Sequence, residues 1–417
     1  MYEQFQKLRA ELKDYFKERG EVVDGALTAL LAKQHLLLVG PPGTAKTNLV
    51  ETLCTSIKGA KYFFHLLTKF TTDKDLLVSE VMVEEEMDQK GKLIRFVNRS
   101  EKKLPQAHIA FLDEIFKCSA VTLNALLRLI HERKCTINPG EEIDSPLITL
   151  IGASNELPGK DQEELMGLND RFLLRYMVDY LSINNNENSP FVSMISNEVL
   201  KPQTTITLDD LCGFQEEVVK IKIPPIIYKI INNIRSDLKT NHNIQPSDRR
   251  YKESVKAIKA YAYLNHHFEE VEPDDLCILE NIYWQTKNQM EKENIQKIIY
   301  KSIGSKEVMR VAEIYKQASK IYNDTVRSIE IHLQKDIGHV KDFKEFEILR
   351  NKLKGIEKDL NNLLFEPREL FENCSNNAGK NIIETYIKKM EVMPQKLLSK
   401  FSATAYREFW GEKNLSE

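Results

Sequence analysis

The string GPPGTAKT at residues 40–47 constrains the fold more than any other feature of the chain. It is preceded by HLLLVG at 35–40, a short unbroken apolar run of the kind that forms a strand buried on both faces. It is followed by NLVETLCTSI at 48–57, whose apolar residues keep helical spacing. Strand, glycine-rich turn and helix in that order set a row of backbone N–H groups at a helix N-terminus, which is a cradle for an anion. Two further apolar runs, HIAFLDE at 108–114 and LITLIGASN at 147–155, each lie far enough from the last for a crossover helix. The alternation predicts an α/β core around a parallel sheet.

The anion that suits such a loop is the phosphate chain of ATP, bound with Mg²⁺. Gly40, Pro41, Pro42, Gly43, Thr44 and Ala45 wrap the phosphates, and Asn48 opens the helix beside them. Lys46 reaches the β- and γ-phosphates and Thr47 offers a hydroxyl to the metal. Lys46 is expected to face solvent until phosphate arrives. Ala45 stands where the general pattern has glycine, and its methyl group is tolerable if the residue has helical dihedrals.

The second apolar run delivers two carboxylates to its C-terminal end, Asp113 to hold the Mg²⁺ shell and Glu114 to polarise the attacking water. Apolar strands often end in acids, and the distance after a phosphate loop is what gives this pair its meaning. Asn155 ends the third run, either as a plain turn former or as an amide that orients the same water or touches the γ-phosphate. In NDRFLLRYM, residues 169–177, Arg171 and Arg175 lie one helical turn apart. One or both can bring positive charge to the γ-phosphate of an adjacent subunit, against the plainer reading of surface ion pairs. SDRR at 247–250 opens a helix with a serine cap, so Arg249 or Arg250 can reach back to the phosphates.

Two helices are expected ahead of the core, one carrying Phe5, Leu8, Leu12 and Phe16, the other Val22 to Ala32. After Tyr180 the polar run SINNNENSP at 182–190 marks a boundary, and from about Leu208 to Met290 the pattern is helical only. Beyond Lys301 a repeat of alternating threes and fours runs through Val308, Ala312, Tyr315, Ser319, Tyr322, Val326, Ile329 and Leu333. A second runs through Phe346, Leu349, Leu353, Ile356, Leu360 and Leu363. Two seams joined near Gly338 read as an antiparallel coiled-coil hairpin. The expected domains are an α/β nucleotide-binding core over 1–183, an all-α lid over 184–300 and a helical domain over 301–417.

A formal net charge of -3 with 29% charged residues lacks the footprint of a nucleic-acid binder at the level of the whole chain. The six cysteines are scattered without metal-ligand spacing and read as small core residues in a reducing compartment. The charged first twenty residues contain no signal-like apolar stretch, and no apolar run approaches the roughly 20 residues that span a bilayer. The expectation is a cytoplasmic protein with no membrane association.

With GPPGTAKT, FLDEIFK, ALLRLIHER, GASNELP, DRFLLR and SDRRYKESVKAI in order, roughly the first 290 residues resemble the MoxR family of AAA+ ATPases. The branch resembled most is typified by the regulatory ATPase variant A. The resemblance implies a Walker A motif at Gly40 to Thr47, Walker B at Ile109 to Glu114, sensor 1 at Asn155, an arginine finger at Arg171 and sensor 2 at Arg249. It further implies ATP hydrolysis at the junctions of a homo-oligomeric, hexameric ring. The partner it implies is a protein client, remodelled in chaperone fashion, among which von Willebrand factor A domain proteins figure. The stretch 72–105 looks like the family's helix-2 insert and 135–144 like its hairpin before sensor 1, both directed at the ring's opening. The resemblance fades after about Ser302, where an aromatic run of Phe401, Tyr406, Phe409 and Trp410 suits either a docking patch or packing on the hairpin. Related rings act on DNA or RNA, in defence systems among others. Lys90, Lys92 and Arg95 keep that alternative open, with Glu84 to Glu86 against it. A nucleotide-switched scaffold is the third reading.

Overall fold

The computed structural model describes residues 1–87, 91–138, 140–158, 163–181, 194, 200–286, 288–303, 306–335, 343–374 and, within 380–397, all but 381, 382 and 385. The boundary at 182–190, Lys90, Gly338 and the aromatic run from Phe401 to Trp410 lie outside the described residues. The chain divides into two compact units, Met1–Ile295 and Gln296–Glu417.

The first unit opens with helices α1 (Tyr2–Tyr15) and α2 (Gly20–Ala32). Phe5, Leu8 and Leu12 of α1, and Phe16 just after it, are buried, as their spacing requires. The α2 helix is apolar on nearly every side and accordingly buried from Val22 to Ala32. It lies so close to the sheet that a Cβ at Gly25 would fall 2.2 Å from the Tyr176 ring.

Five strands form the central sheet: β1 (Leu36–Val39), β3 (Tyr62–Leu66), β6 (Ile109–Asp113), β9 (Thr149–Ser154) and β10 (Leu174–Met177). Their order is β10-β1-β9-β6-β3 and every pairing is parallel. Leu36, Leu37, Leu38 and Val39 are all at 0% exposure, which explains the unbroken apolar run of a strand covered on both faces. A parallel sheet puts all its C-terminal ends on one edge and all its N-terminal ends on the other. That polarity decides which functional residues meet.

The crossovers carry α3 (Lys46–Thr55), α5 (Ala120–Glu132) and α6 (Glu163–Arg171). Between β3 and β6 lie the short α4 (Asp73–Leu77), held by a Thr72–Asp75 capping box, and an antiparallel pair, β4 (Ser79–Met87) with β5 (Gly91–Arg99). A second antiparallel pair, β7 (Lys134–Asn138) with β8 (Glu141–Asp144), precedes β9 and is tied to the first by Asn98 Nδ2 donating to the Ile137 carbonyl at 3.0 Å.

The rest of this unit is helical: α7 (Leu208–Lys220), α8 (Pro225–His242), α9 (Asp248–Leu264) and α10 (Glu280–Tyr283), with a parallel β2 (Ile57–Lys58) and β11 (Ile206–Thr207) pair at its entry. The α9 helix packs on α2. The α11 helix (Gln289–Ile303) crosses the boundary between the units. In the second unit, α12 (Lys306–Lys335), α13 (Phe343–Asn362) and α14 (Phe365–Asn373) follow. Tyr322 and Val326 pack with Ile356 against Leu353, as the two seams require, but the buried Leu397 joins them. Toward its start α12 buries Val311, Ile314 and Ala318, while Tyr315 and Ser319 of the expected row are half-buried. There α14 packs on α12, and Arg310 meets Glu366 at 2.6 and 3.2 Å.

Cys54, Cys135, Cys277 and Cys374 are buried, as read from the sequence, whereas Cys212 is exposed. Among the described residues no helix is long and apolar enough to cross a membrane.

Candidate functional site

The loop Gly40–Ala45 leaves the C-terminal end of β1 and enters α3 at Lys46. Gly40 has no room for a side chain, since its Cβ would lie 2.0 Å from the Val178 carbonyl oxygen, and Gly43 turns the chain at φ +79. Ala45 departs from the sequence expectation. Its dihedrals, φ 63 and ψ 22, are left-handed rather than right-handed helical, so the methyl group is held at a conformational cost. Lys46 departs as well. It is 8% exposed, and its ammonium donates to the carbonyls of Gly40 and Pro41, each at 2.8 Å. Thr44 Oγ1 donates to the Pro41 carbonyl at 3.0 Å. The loop is thus closed around its own lysine, whose acidity is raised by burial and opposed by the nearby carboxylates of Asp113 and Glu114. Thr47 is half-buried and Asn48 exposed, one turn before Thr52, which donates to its Oδ1 at 3.3 Å.

Asp113 ends β6, and its Oδ1 accepts the Glu114 N–H at 2.9 Å. Glu114 itself is left-handed, at φ 53 and ψ 44, which swings its side chain off the strand line. Asn155, just beyond β9, donates from Nδ2 to Glu114 Oε1 at 3.1 Å, and Lys117 Nζ stands 3.4 Å from the same oxygen. The adjacent β6 and β9 strands therefore bring acid and amide together, and the turn after β9 is pinned by Ser154 Oγ donating to the Glu156 carbonyl at 2.6 Å. Lys46, Asp113, Glu114 and Asn155 all gather at the C-terminal edge. The group that fits is a phosphate chain with its metal. A hydroxyl and a single carboxylate suit Mg²⁺, whose other ligands are phosphate oxygens and water. Tyr180, outside the sequence-predicted set, also belongs here: its hydroxyl donates to the Pro42 carbonyl at 3.3 Å.

The arginines lie elsewhere. Arg171 is the last residue of α6, and the chain then enters β10, so Arg171 and Arg175 are not on one helix turn. Arg175 is 2% exposed, donates to the carbonyls of Phe172 and Trp284 at 3.3 and 2.9 Å and stacks on the Trp284 ring at 5.8 Å. It is a buried packing residue, with no side-chain surface to offer a phosphate. Arg250 is likewise 2% exposed. It donates to the carbonyls of Phe172, Leu173 and Ile282 at 2.7, 2.8 and 2.6 Å and to Asp170 at 3.2 Å, and burial pushes its guanidinium down to about 10. This latch between α9 and the core is a role the sequence analysis missed; the serine cap that opens α9 and also meets Asp170 was its only trace.

Arg249 and Arg171 line one cavity of about 530 Å³, together with Lys33, His35, His131, Arg133 and Lys252. His35 immediately precedes β1 while Gly40 immediately follows it, so about 13 Å of strand separates the cavity from the phosphate loop. Arg249 does not reach back to its own chain's phosphates, contrary to the sequence expectation. Strand polarity has put the loop and carboxylates on one edge and Arg171 and Arg249 on the other.

Comparison with known proteins places this chain in a family. The family model for the MoxR domain in the MoxR-vWA-beta-propeller ternary systems matches residues 3–196, and an AAA lid domain model matches residues 226–299. An uncharacterized protein of Methanocaldococcus jannaschii is 44% identical over 281 residues, 67% of this chain and 70% of that protein. The chain belongs to the MoxR family of AAA+ ATPases. A second protein of the same organism is 41% identical over 293 residues, covering 70% of this chain and 74% of its own length. The crystal structure of a candidate ATPase from Cytophaga hutchinsonii superposes with a TM-score of 0.54 at 18% identity, over 72% of this chain and 94% of that one, and so shares the fold. An α/β AAA+ core followed by an all-α lid is the MoxR-type arrangement seen here.

Proposed function

We propose that this MoxR-type chain binds ATP with Mg²⁺ in the loop Gly40–Thr47 and hydrolyses it at junctions between copies arranged in a ring. The observation that carries the reading is the meeting of Lys46, Asp113, Glu114 and Asn155 at one sheet edge. Lys46 exchanges the carbonyls of Gly40 and Pro41 for the β- and γ-phosphates. Thr47 and Asp113 would hold the Mg²⁺, which supplies charge neutralisation between the β- and γ-phosphates when bound. Glu114, aimed by Asn155, takes the proton of the attacking water. Arg171, on the opposite edge of its own sheet, serves the phosphate loop of the next copy, because its own is beyond reach.

Ring assembly, six copies in the family's manner, follows from an active site split between two faces of one chain. The client is a protein, and the family description points to a von Willebrand factor A domain partner, with hydrolysis driving its remodelling. The branch typified by regulatory ATPase variant A rests on the motif strings alone.

The test separates binding from chemistry. Lys46→Ala is expected to abolish tight ATP binding in a titration, and unchanged affinity would remove the loop from the mechanism. Glu114→Gln is expected to bind ATP while turnover drops by about 10²-fold or more. Turnover at the wild-type level would hand the water to another residue.

A further inference from the structure

The backbone that sets the carboxylate of Glu114 also returns a lysine to it. Glu114 turns the chain into the left-handed region at φ 53, and a single 3-10 turn, Ile115–Lys117, follows at once. The Lys117 N–H donates to the Glu114 carbonyl at 2.8 Å, which folds the turn back on the residue that starts it. Ile115 anchors the turn: it is at 0% exposure, and its Cγ2 lies 3.4 Å from where a Cβ on Gly152 of β9 would stand. With its backbone so fixed, Lys117 brings Nζ to 3.4 Å from Glu114 Oε1. Asn155 Nδ2 donates to that same oxygen at 3.1 Å.

An ion pair between two exposed side chains ordinarily contributes little. This one is uneven. The lysine side chain is 58% exposed but the glutamate only 18%, so the cation meets a carboxylate largely withdrawn from water, where charge is screened less. The chain also accepts a left-handed residue at this point, a conformation that costs free energy and that a surface ion pair does not require. The terminal torsion of a glutamate is broad, and one donor leaves the carboxylate free to turn. Two donors from different elements, the 3-10 turn and the end of β9, fix its plane. We propose that Lys117 is a positioning residue for hydrolysis: with Asn155 it holds Oε1 of Glu114, so that Oε2 is the oxygen presented to the attacking water. This deepens the reading of Glu114 as general base and rests on it. The water's proton passes to Oε2 as its oxygen bonds to the terminal phosphorus, and the bond from that phosphorus to the β-phosphate oxygen breaks. Lys117 and Asn155 keep their protons throughout.

ATP turnover at saturating nucleotide tests the assignment on the full chain, with ATP affinity measured beside it. Lys117→Met changes an exposed side chain, which the fold tolerates. Its kcat is expected to fall about 2- to 5-fold, the worth of one partly exposed ion pair, while ATP affinity stays within about twofold of wild type. Lys117→Arg keeps the cation and is expected to recover most of the loss. Glu114→Gln supplies the background that separates positioning from structure. Its amide carries no charge for the lysine to hold, so adding Lys117→Met to Glu114→Gln is expected to leave the residual single-turnover rate unchanged. Wild-type kcat in Lys117→Met overturns the proposal, and so does a raised kcat, which would make the lysine a restraint on the acid. Loss by the same factor in both backgrounds overturns it too, since the lysine then acts on the turn and not on the carboxylate. The two readings fail separately. Glu114→Gln turning over as fast as the wild type removes the general base itself, whereas a slow Glu114→Gln beside an unaffected Lys117→Met removes only the lysine.

Discussion

Two adjacent arginines, Arg249 and Arg250, are expected to respond to truncation in opposite ways, and Arg250→Met is the informative half of the pair. Its guanidinium makes three hydrogen bonds of 2.6 to 2.8 Å to main-chain carbonyls and one of 3.2 Å to Asp170. A hydrogen bond with one charged member contributes about 1.5–3 kcal/mol, and part of the sum is cancelled by the cost of burying the ion. Methionine keeps much of the volume but strands three carbonyls, while Asp170, 37% exposed, keeps Ser247 and solvent. Leaving a buried acceptor unsatisfied costs about 1–3 kcal/mol, so three stranded carbonyls take a large part of the roughly 5–15 kcal/mol that holds a domain together. Urea unfolding followed by circular dichroism should therefore show a clear fall in midpoint at unchanged slope. Arg249→Ala, half-buried and outside that network, should stay within about 0.5 kcal/mol of wild type in the same experiment while losing ATP turnover. An Arg250→Met midpoint equal to wild type would refute the latch, and with it the claim that these carbonyls fix the lid on the core.

Two smaller predictions follow from local geometry. Ala45→Gly removes a left-handed strain of about 1–2 kcal/mol but adds about 0.4–1 kcal/mol of unfolded-state freedom, so the variant is expected to be neutral or slightly more stable by thermal unfolding. A clear loss of stability would show that the methyl group is packing, not straining. His267 donates to the buried Asp275 at 2.9 Å, and that hydrogen bond raises its pKa above the ordinary histidine value. Because the folded chain binds the proton more tightly, the stabilisation is complete below about pH 6.5 and lost as pH rises through the folded pKa. Unfolding free energy should fall across that window in the wild type and stay flatter in His267→Gln; parallel curves would place the pH dependence elsewhere.

The central sheet was legible because burial on both faces leaves an unbroken apolar run, and HLLLVG, HIAFLDE and LITLIGASN each became a strand. The paired carboxylates Asp113 and Glu114 were legible for a related reason, since a strand's end is written in the same run as its core. Local spacing failed at the arginines. DRFLLR keeps Arg171 and Arg175 four residues apart, a helical interval, yet the chain changes from helix to strand between them and one side chain goes to a cavity while the other is buried under Trp284. Nothing in SDRR distinguishes the latch from its neighbour, because which of the two faces the core depends on how α9 lies on α2. Ala45 and Lys46 were misjudged through backbone conformation, which residue type alone does not reveal at a loop.

If the site is shared between copies as proposed, the same sheet polarity couples nucleotide to assembly. Arg133, Arg171, Arg249 and Lys252 stand around one cavity without acidic partners among the described residues, and like charges so placed repel and raise the free energy of the isolated chain. On the proposed reading, a phosphate chain presented by a second copy relieves that repulsion. The relief is available only when the nucleotide and the neighbour are both in place. By linkage, a ligand that binds the assembled form better than the separate chains must shift the equilibrium toward assembly, and assembly must in turn tighten the ligand. On the proposed reading, loss of the γ-phosphate on hydrolysis withdraws the charge nearest the cavity. The junction then weakens at the moment chemistry is complete, which is how one sheet with two differently charged edges can turn hydrolysis into movement between copies.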